Sequence, residues 1–359
     1  MAQNRREIIE AAFNNEKTDR VPVGFWHHFL PDPTVPGFGN KALQKSILDA
    51  QDAYFHAFPT DILKVMTDGF FHYLNPSIEK QLSSPKEALP LKPLGRESDW
   101  YREQIAYAKE LSRRYGETVQ IFYNIFTPQL AFTFSQGSAD HPFNLVPWIK
   151  EEPEALKKVL DVISEDYALL AKGVISEGGL DGIFFSTNSI AYDAGRLPPW
   201  EPHHGLYKEE DDPEYQSVSG EEYKEIIAPG ELKVLEAAKS QKDNNILHIC
   251  GFNRFRNDLD WYKTYPAKAV HWAANVEKLP LGQGKTFFGG RAVIGGFGET
   301  DKDVLYTGTK ESIVEETKRL LDEAGTVGVI LGADCTIPRD TPVSHLQWVH
   351  DAAKAYSSI

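Results

Sequence analysis

The chain has 359 residues, a formal net charge of -14 at neutral pH and a charged share of 25%. That acidic balance argues against nonspecific nucleic-acid binding, which needs a basic surface, and it disfavours polyanionic substrates unless a local basic pocket overrides it. No run approaches the roughly 18 apolar residues of a membrane span, and the charged start MAQNRREIIEAAFNNEKTDR has no apolar signal core. A cytoplasmic protein is the expectation.

Residues 1–20 read as a helical lead-in. Eight short apolar runs follow as candidate strands: VPVGFW (21–26), DILKVM (61–66), VQIFYNIF (119–126), GIFFSTN (182–188), NILHIC (245–250), AKAVHWA (267–273), AVIGGF (292–297) and VGVILGA (327–333). Solid apolar runs suit strands buried on both faces, as in a parallel sheet. Longer stretches with apolar residues at three- and four-residue intervals lie between them. EEPEALKKVLDVISEDYALLAKGVISEGG ends in a glycine pair, GEEYKEIIAPGELKVLEAAKSQ is interrupted by proline, and KESIVEETKRLLDEAG ends in Gly325.

The alternation predicts an α/β protein, a (β/α)8 TIM-type barrel in a single domain over residues 1–359. A doubly wound open sheet is the competing architecture. The charged stretch near 196–220, which contains KEEDDPEY, reads as an excursion from that domain. GQGKT (282–286) looks like the tail of a phosphate loop, but Leu279 stands where its first glycine is required. GGRAVIGGFG lacks the dinucleotide spacing, and its glycines fit a close backbone approach to a cleft.

In a barrel, reactive groups gather where strands end. The chain has only two cysteines, and both sit at such ends: Cys250 in LHIC and Cys335 in LGADC. His248 is two residues before Cys250, so in extended chain both side chains face the same way. One histidine and two thiolates are a sufficient protein ligand set for catalytic zinc, which keeps a fourth position open. On spacing alone two inert buried thiols are also open, and so is a disulfide or redox pair.

Further segments carry a family likeness. They are KTDRVPVGFW, FPTDILKV, SVSGEEYKEIIAPGELKVLEAAK, LYTGTKESIVEETKRLL and LGADCTIPRDTPVSHLQWVHDAAKAY. In these the chain resembles the uroporphyrinogen decarboxylase superfamily from end to end. The decarboxylase branch carries an arginine-rich run after its first strand, where HHFLPDPTVPGFGN has no arginine. Its C-terminal Gly-His-Gly is replaced by GADC, and Phe134 falls near its tyrosine.

The other branch comprises zinc-dependent methyltransferases that act with corrinoid proteins. Their His-x-Cys pair and distant Cys match His248, Cys250 and Cys335. The resemblance implies zinc on these three, and methyl transfer between a corrinoid on a separate partner protein and a thiol or methylated small substrate, in either direction. A decarboxylase of a porphyrinogen or related carboxylate is the alternative activity. A non-catalytic, corrinoid-binding scaffold is a third reading. The resemblance also makes Asp61 a candidate catalytic residue. His27, Asn124, Asn188, Tyr192 and His271, at or just after strand ends, are candidates for lining the cleft around the substrate. Of the adjacent His27 and His28, at most one can point inward.

Overall fold

The computed structural model describes residues 3–137, 143–189, 218–251 and 257–356. Seven of the eight expected strands form. They are β1 (Ile62–Val65), β2 (Gln120–Phe126), β3 (Gly182–Thr187), β4 (Ile246–Ile249), β5 (Ala269–Trp272), β6 (Ala292–Phe297) and β7 (Val329–Ala333). They pair in chain order as one parallel sheet, and helices cross back between them. The fold is α/β, a curled parallel sheet of TIM-barrel type.

The first expected strand departs from a regular ladder. Segment 21–25 makes a single parallel bridge, Val23 to Leu331 of β7. Leu331 N–H donates to Pro22 O at 2.9 Å, and Gly24 N–H donates to Leu331 O at 2.8 Å. On its other side Asp61 N–H donates to Val23 O at 2.9 Å. The segment therefore touches both edges of the seven-stranded sheet. It is not a full strand because Pro22 has no N–H and the N–H of Val23 is spent on the Asp61 carboxylate at 2.8 Å. The eight-strand expectation is corrected to seven strands and a bridging segment.

Successive strand residues face opposite sides of a sheet, and the buried apolar residues divide accordingly. Ile62, Met66, Phe122, Phe184, Ile246, Ala269, Ala292, Ile294 and Ile330 form one cluster, closed by Ile9, Ala12 and Phe13 from the lead-in helix Arg5–Phe13. Their neighbours Leu63, Val65, Ile121, Tyr123, Ile183, Leu247, Val270, Val293 and Leu331 belong to the larger cluster beneath the helices. The first cluster is the inner face of the curl, and the lead-in helix plugs one end of it.

Pro153–Ser176 and Lys310–Ala324 are helices where the periodicity predicts them, and Gly325 follows the second. In the proline-interrupted helix, a π turn, Tyr223–Ile227, precedes Ala228–Lys239. The missing Pro229 N–H accounts for the break. GQGKT lies in the helix Leu281–Phe287, not in a phosphate loop. Gly295 and Gly296 in β6 have φ of 132° and 111°, a conformation open to glycine. Tyr192 and nearly all of the predicted 196–220 excursion lie outside the described residues. Among the described residues no helix is long and apolar enough to cross a membrane.

One contact shows how tightly the outer layer is packed. A Cβ at Gly284 would stand 2.0 Å from Trp272 Cζ2, and the Trp272 indole is itself anchored to Leu279 O at 2.9 Å. Gly284→Ala is expected to destabilise the protein by about 1–3 kcal/mol, the usual cost of overpacking. An unchanged urea-unfolding midpoint would show that the ring can move aside.

Candidate metal centre

The inner face changes character toward the C-terminal strand ends. Along β1, β2, β3, β4 and β5 the inward apolar residue is followed two positions later by a polar one: Ile62 by Lys64, Phe122 by Asn124, Phe184 by Ser186, Ile246 by His248 and Ala269 by His271. These five are buried. Cys250 stands two residues beyond His248, just past the end of β4, and Cys335 stands just past β7.

The three sequence-predicted ligands meet. The Cys250 and Cys335 sulfurs are 3.9 Å apart, although 85 residues separate them in the chain. Cys335 Sγ is 3.6 Å from His248 Nε2. All three donor atoms lie within 4.8 Å of one another, and neither cysteine is in a disulfide. Tetrahedral zinc, with bonds of about 2.3 Å to sulfur and about 2.0–2.1 Å to nitrogen, holds two sulfurs about 3.8 Å apart and sulfur and nitrogen about 3.6 Å apart. The donor set therefore fits zinc in chemistry and in spacing.

The electrostatics fit as well. Burial pushes the His248 imidazole below its ordinary pKa, so the ring is neutral and keeps a lone pair to donate. The Cys335 thiol is held well below the ordinary range, first by its hydrogen bond to Cys250 and further by His248 and Lys64, against burial.

Each ligand is fixed by its backbone. Cys250 N–H donates to Thr187 O at 2.7 Å, and Asn257 Nδ2 donates to Cys250 O at 2.9 Å. Asn257 also bonds Glu277 and Ser189. After Cys335, Ile337 N–H donates to Trp26 O at 3.0 Å, which ties the loop to the bridging segment.

The predicted cleft residues divide. His271 stacks on His248 with centroids 4.5 Å apart, and its Nε2 bonds Ala333 O at 2.8 Å. That makes it the backing of the ligand histidine. Burial, then His248, lowers its pKa well below the ordinary value, so it too is neutral. Asn124 accepts from Ser186 Oγ at 2.8 Å in the upper interior. Asn188 is buried past β3, where its carbonyl accepts from Gln129 at 3.0 Å. His27 packs edge-on to Tyr54 and Phe29 with Nδ1 2.9 Å from His28 O, so its ring is committed to that loop. Trp26 is the inward residue of that stretch, against Phe184 and His271.

Asp61 is at the wrong end. It precedes β1, whereas the candidate centre lies beyond the strands' C-terminal ends. Its carboxylate is fully buried, takes a two-point ion pair from Arg20 and accepts from Val23 N–H. That placement corrects its assignment as a catalytic residue and makes it a fastening of the bridging segment.

Two features were missed. Asp68, seven residues later, does follow β1. It is fully buried, bonds His28 Nδ1 at 2.7 Å and accepts from the N–H groups of Phe29 and Leu30. The strand-end rule would have found it, since Asp61 precedes the apolar run and Asp68 follows it. Lys64 was the other, legible as the one cation inside DILKVM, at the same parity as Ile62 and Met66.

Behind β3 and β4, Glu231 is fully buried and accepts from Thr187 Oγ1, Tyr223 OH at 2.7 Å and Tyr265 OH at 2.5 Å. Burial outweighs these donors and raises its pKa from 4.5 to about 7. A carboxyl whose folded pKa is raised contributes stability that is complete below about pH 4.5 and is lost as pH rises through about 7. Glu231→Gln should therefore gain stability relative to wild type as pH rises from 4.5 to 7; a pH-independent difference in unfolding free energy would contradict this. Asp61→Ala leaves Arg20 uncompensated and should cost on the order of 3–5 kcal/mol without loosening the three donors. Denaturant unfolding and metal content, measured on one preparation, check both halves.

Comparison with known proteins agrees with this picture. Residues 211–356, which include all three donors, match the family model Uroporphyrinogen decarboxylase (URO-D). Two curated relatives are named methylcobamide:CoM methyltransferase MtbA. The one from Methanosarcina acetivorans is 27% identical over 143 residues, and the one from Methanosarcina mazei 31% over 145 residues. Each match covers 40% of this chain and 39% of the relative, so the likeness spans about two fifths of their length. A solved methyltransferase from Methanosarcina mazei superposes over 98% of this chain and 99% of its own, with a TM-score of 0.65 at 16% identity. A B12-independent methionine synthase from Shewanella sp. W3-18-1 superposes over 94% of this chain and 98% of its own, with a TM-score of 0.53 at 12% identity. At those identities the structures speak for the fold alone. Taken together, residues 211–356 resemble the uroporphyrinogen decarboxylase family, about two fifths of the chain is similar to relatives named as methylcobamide:CoM methyltransferases, and the fold is shared over nearly the whole chain.

Proposed function

We propose that the protein is a zinc-dependent methyltransferase that moves a methyl group between a corrinoid and a thiol or methylated small substrate. The observation that carries this reading is the convergence of His248 Nε2 and the two sulfurs within 4.8 Å at the C-terminal ends of the strands. The relatives' printed names support the reaction class. The decarboxylase alternative rested on Asp61, whose carboxylate is held by Arg20 away from this face.

His248, Cys250 and Cys335 would hold the ion and leave one position for the reagent. Zinc bound there supplies Lewis acidity, which lowers the pKa of a thiol or polarises a leaving oxygen or nitrogen. The chain's own groups do the rest. His271 and Phe184 pack the ligand imidazole into one orientation. The apolar lower interior, plugged by Ile9, Ala12 and Phe13, keeps water from approaching from beneath. His28 and Asp68 form a hydrogen-bonded pair beyond the end of β1. A corrinoid is too large to share this interior with a substrate, so it is assigned to a separate protein docked over the strand ends. Two cysteines outside any disulfide suit a reducing cytoplasm.

Protein purified without chelators should contain about one zinc per chain, the stoichiometry of a catalytic site, and Cys250→Ser or Cys335→Ser should lose it. The loaded protein should transfer methyl between methylcobalamin and a small thiol. Atomic emission showing no zinc in the wild-type protein would end this reading.

A further inference from the structure

Asn257 is buried, and its side-chain amide uses all four of its hydrogen-bonding positions. Oδ1 accepts from Ser189 N–H at 2.8 Å and from Ser189 Oγ at 3.1 Å. Nδ2 donates to Cys250 O at 2.9 Å and to Glu277 Oε1 at 2.8 Å. The Asn257 backbone N–H donates to the same Oε1 at 2.9 Å. One side chain therefore joins the end of β3, the backbone of Cys250 and the short helix Ala274–Glu277 that follows β5. That helix is fastened in turn beside the other thiol. Its N-cap residue is Ala273, which has no side-chain acceptor. The buried carboxylate of Asp334, the residue before Cys335, takes that role: Oδ2 accepts from Asn275 N–H at 2.8 Å. Asp334 N–H donates to Phe297 O at the end of β6, also at 2.8 Å.

A path of hydrogen bonds thus runs from Cys250 O through Asn257, Glu277 and one turn of helix to Asp334 and the backbone of Cys335. Two thiolates repel each other until an ion stands between them, so their spacing has to come from the backbones that carry them. A frame that holds the donors in place before the ion arrives removes an ordering cost from binding. We propose that Asn257 is a positioning residue for the candidate centre. Through Glu277 and Asp334 it holds the Cys250 and Cys335 sulfurs 3.9 Å apart, close to the roughly 3.8 Å between sulfurs on one tetrahedral zinc ion. The inference rests on the zinc reading above and adds to it the group that sets the spacing.

The test uses the full chain. It reads zinc affinity by competition with a chromophoric chelator, and the visible spectrum of the cobalt-loaded protein, whose intensity reports tetrahedral geometry. Wild type is compared with Asn257→Asp, with Asn257→Asp combined with Glu277→Gln, and with Asp61→Ala, at a temperature where circular dichroism shows them folded. Asn257→Asp keeps the side-chain volume and the acceptor for Ser189 but removes both Nδ2 donors. Adding Glu277→Gln relieves the repulsion between two carboxylates without restoring a donor to Cys250 O, so the double variant decides if the single one does not fold. The zinc Kd should rise about tenfold to a hundredfold in both Asn257 variants, the usual effect of removing a group that orients a metal ligand, and the cobalt absorbance should weaken. Asp61→Ala, destabilised at the far end of the strands, should keep the affinity and spectrum of wild type. A double variant that binds zinc as tightly as wild type with an unchanged cobalt spectrum overturns the inference and leaves the zinc reading standing. An equal loss of affinity in Asp61→Ala overturns it too, because lost stability then accounts for the effect. Wild type that takes up neither zinc nor cobalt overturns the zinc reading, and the inference falls with it.

Discussion

Curvature of the sheet is the constraint on which the candidate centre depends. Neighbouring strands lie about 4.8 Å apart. β4 and β7 are three places apart in the sheet order, so on a flat sheet their ends would be separated by about 14 Å. Yet the Cys250 and Cys335 sulfurs are 3.9 Å apart. Only a sheet rolled toward closure makes that possible. The roll is held where segment 21–25 hydrogen-bonds to Leu331 on one side and to Asp61 on the other. The Arg20–Asp61 pair stands at that seam and fastens the scaffold at the end of the strands away from the three donors.

The two ends of the strands do different work. At the N-terminal ends, Asp61 pairs with Arg20, and Asp181 pairs with Arg6, which also donates to Gly116 O and Val119 O. The lead-in helix that carries Arg6 also supplies the apolar plug. These contacts fasten the scaffold. At the C-terminal ends the inward positions turn polar, and several of the buried groups are tied to a neighbour: His271 to Ala333 O, Ser186 to Asn124, Asp68 to His28 and two backbone N–H groups. A barrel interior tolerates such groups only where hydrogen bonds or ligands offset their lost hydration. This division of labour between the faces is the one expected of the architecture.

The comparisons fall in step with this anatomy. The family match covers residues 211–356, the part of the chain that runs from the helix before β4 through the helix after β7. It therefore contains every donor of the candidate centre. The N-terminal half contributes β1 to β3 and the upper interior with Lys64, Asp68 and Asn124. Structural likeness extends over nearly the whole chain at 16% identity. That pattern fits a scaffold kept by packing, with local sequence free to vary wherever an apolar residue of suitable size suffices.

By itself the sequence determined the α/β class, seven of the strands to within about two residues and the major helices, and it singled out His248, Cys250 and Cys335 as candidate donors. Apolar runs, helical periodicity and the scarcity of cysteine are local signals, and local signals survive without coordinates. It could not determine the status of VPVGFW, which has the composition of a strand. Whether its N–H groups meet a neighbouring strand depends on Pro22 and on a carboxylate 38 residues away from Val23. Nor could it separate Asp61 from Asp68, because that choice turns on where β1 begins and ends. Only the tertiary structure decided which parity of each strand faces inward, since both inward and outward residues are buried here and hydropathy does not distinguish them. That choice places Lys64 over the Phe184 and Trp26 rings, and Trp26, not His27, against His271. The convergence of His248, Cys250 and Cys335 was decided at the same level, because it is a property of the rolled sheet and not of any stretch of chain.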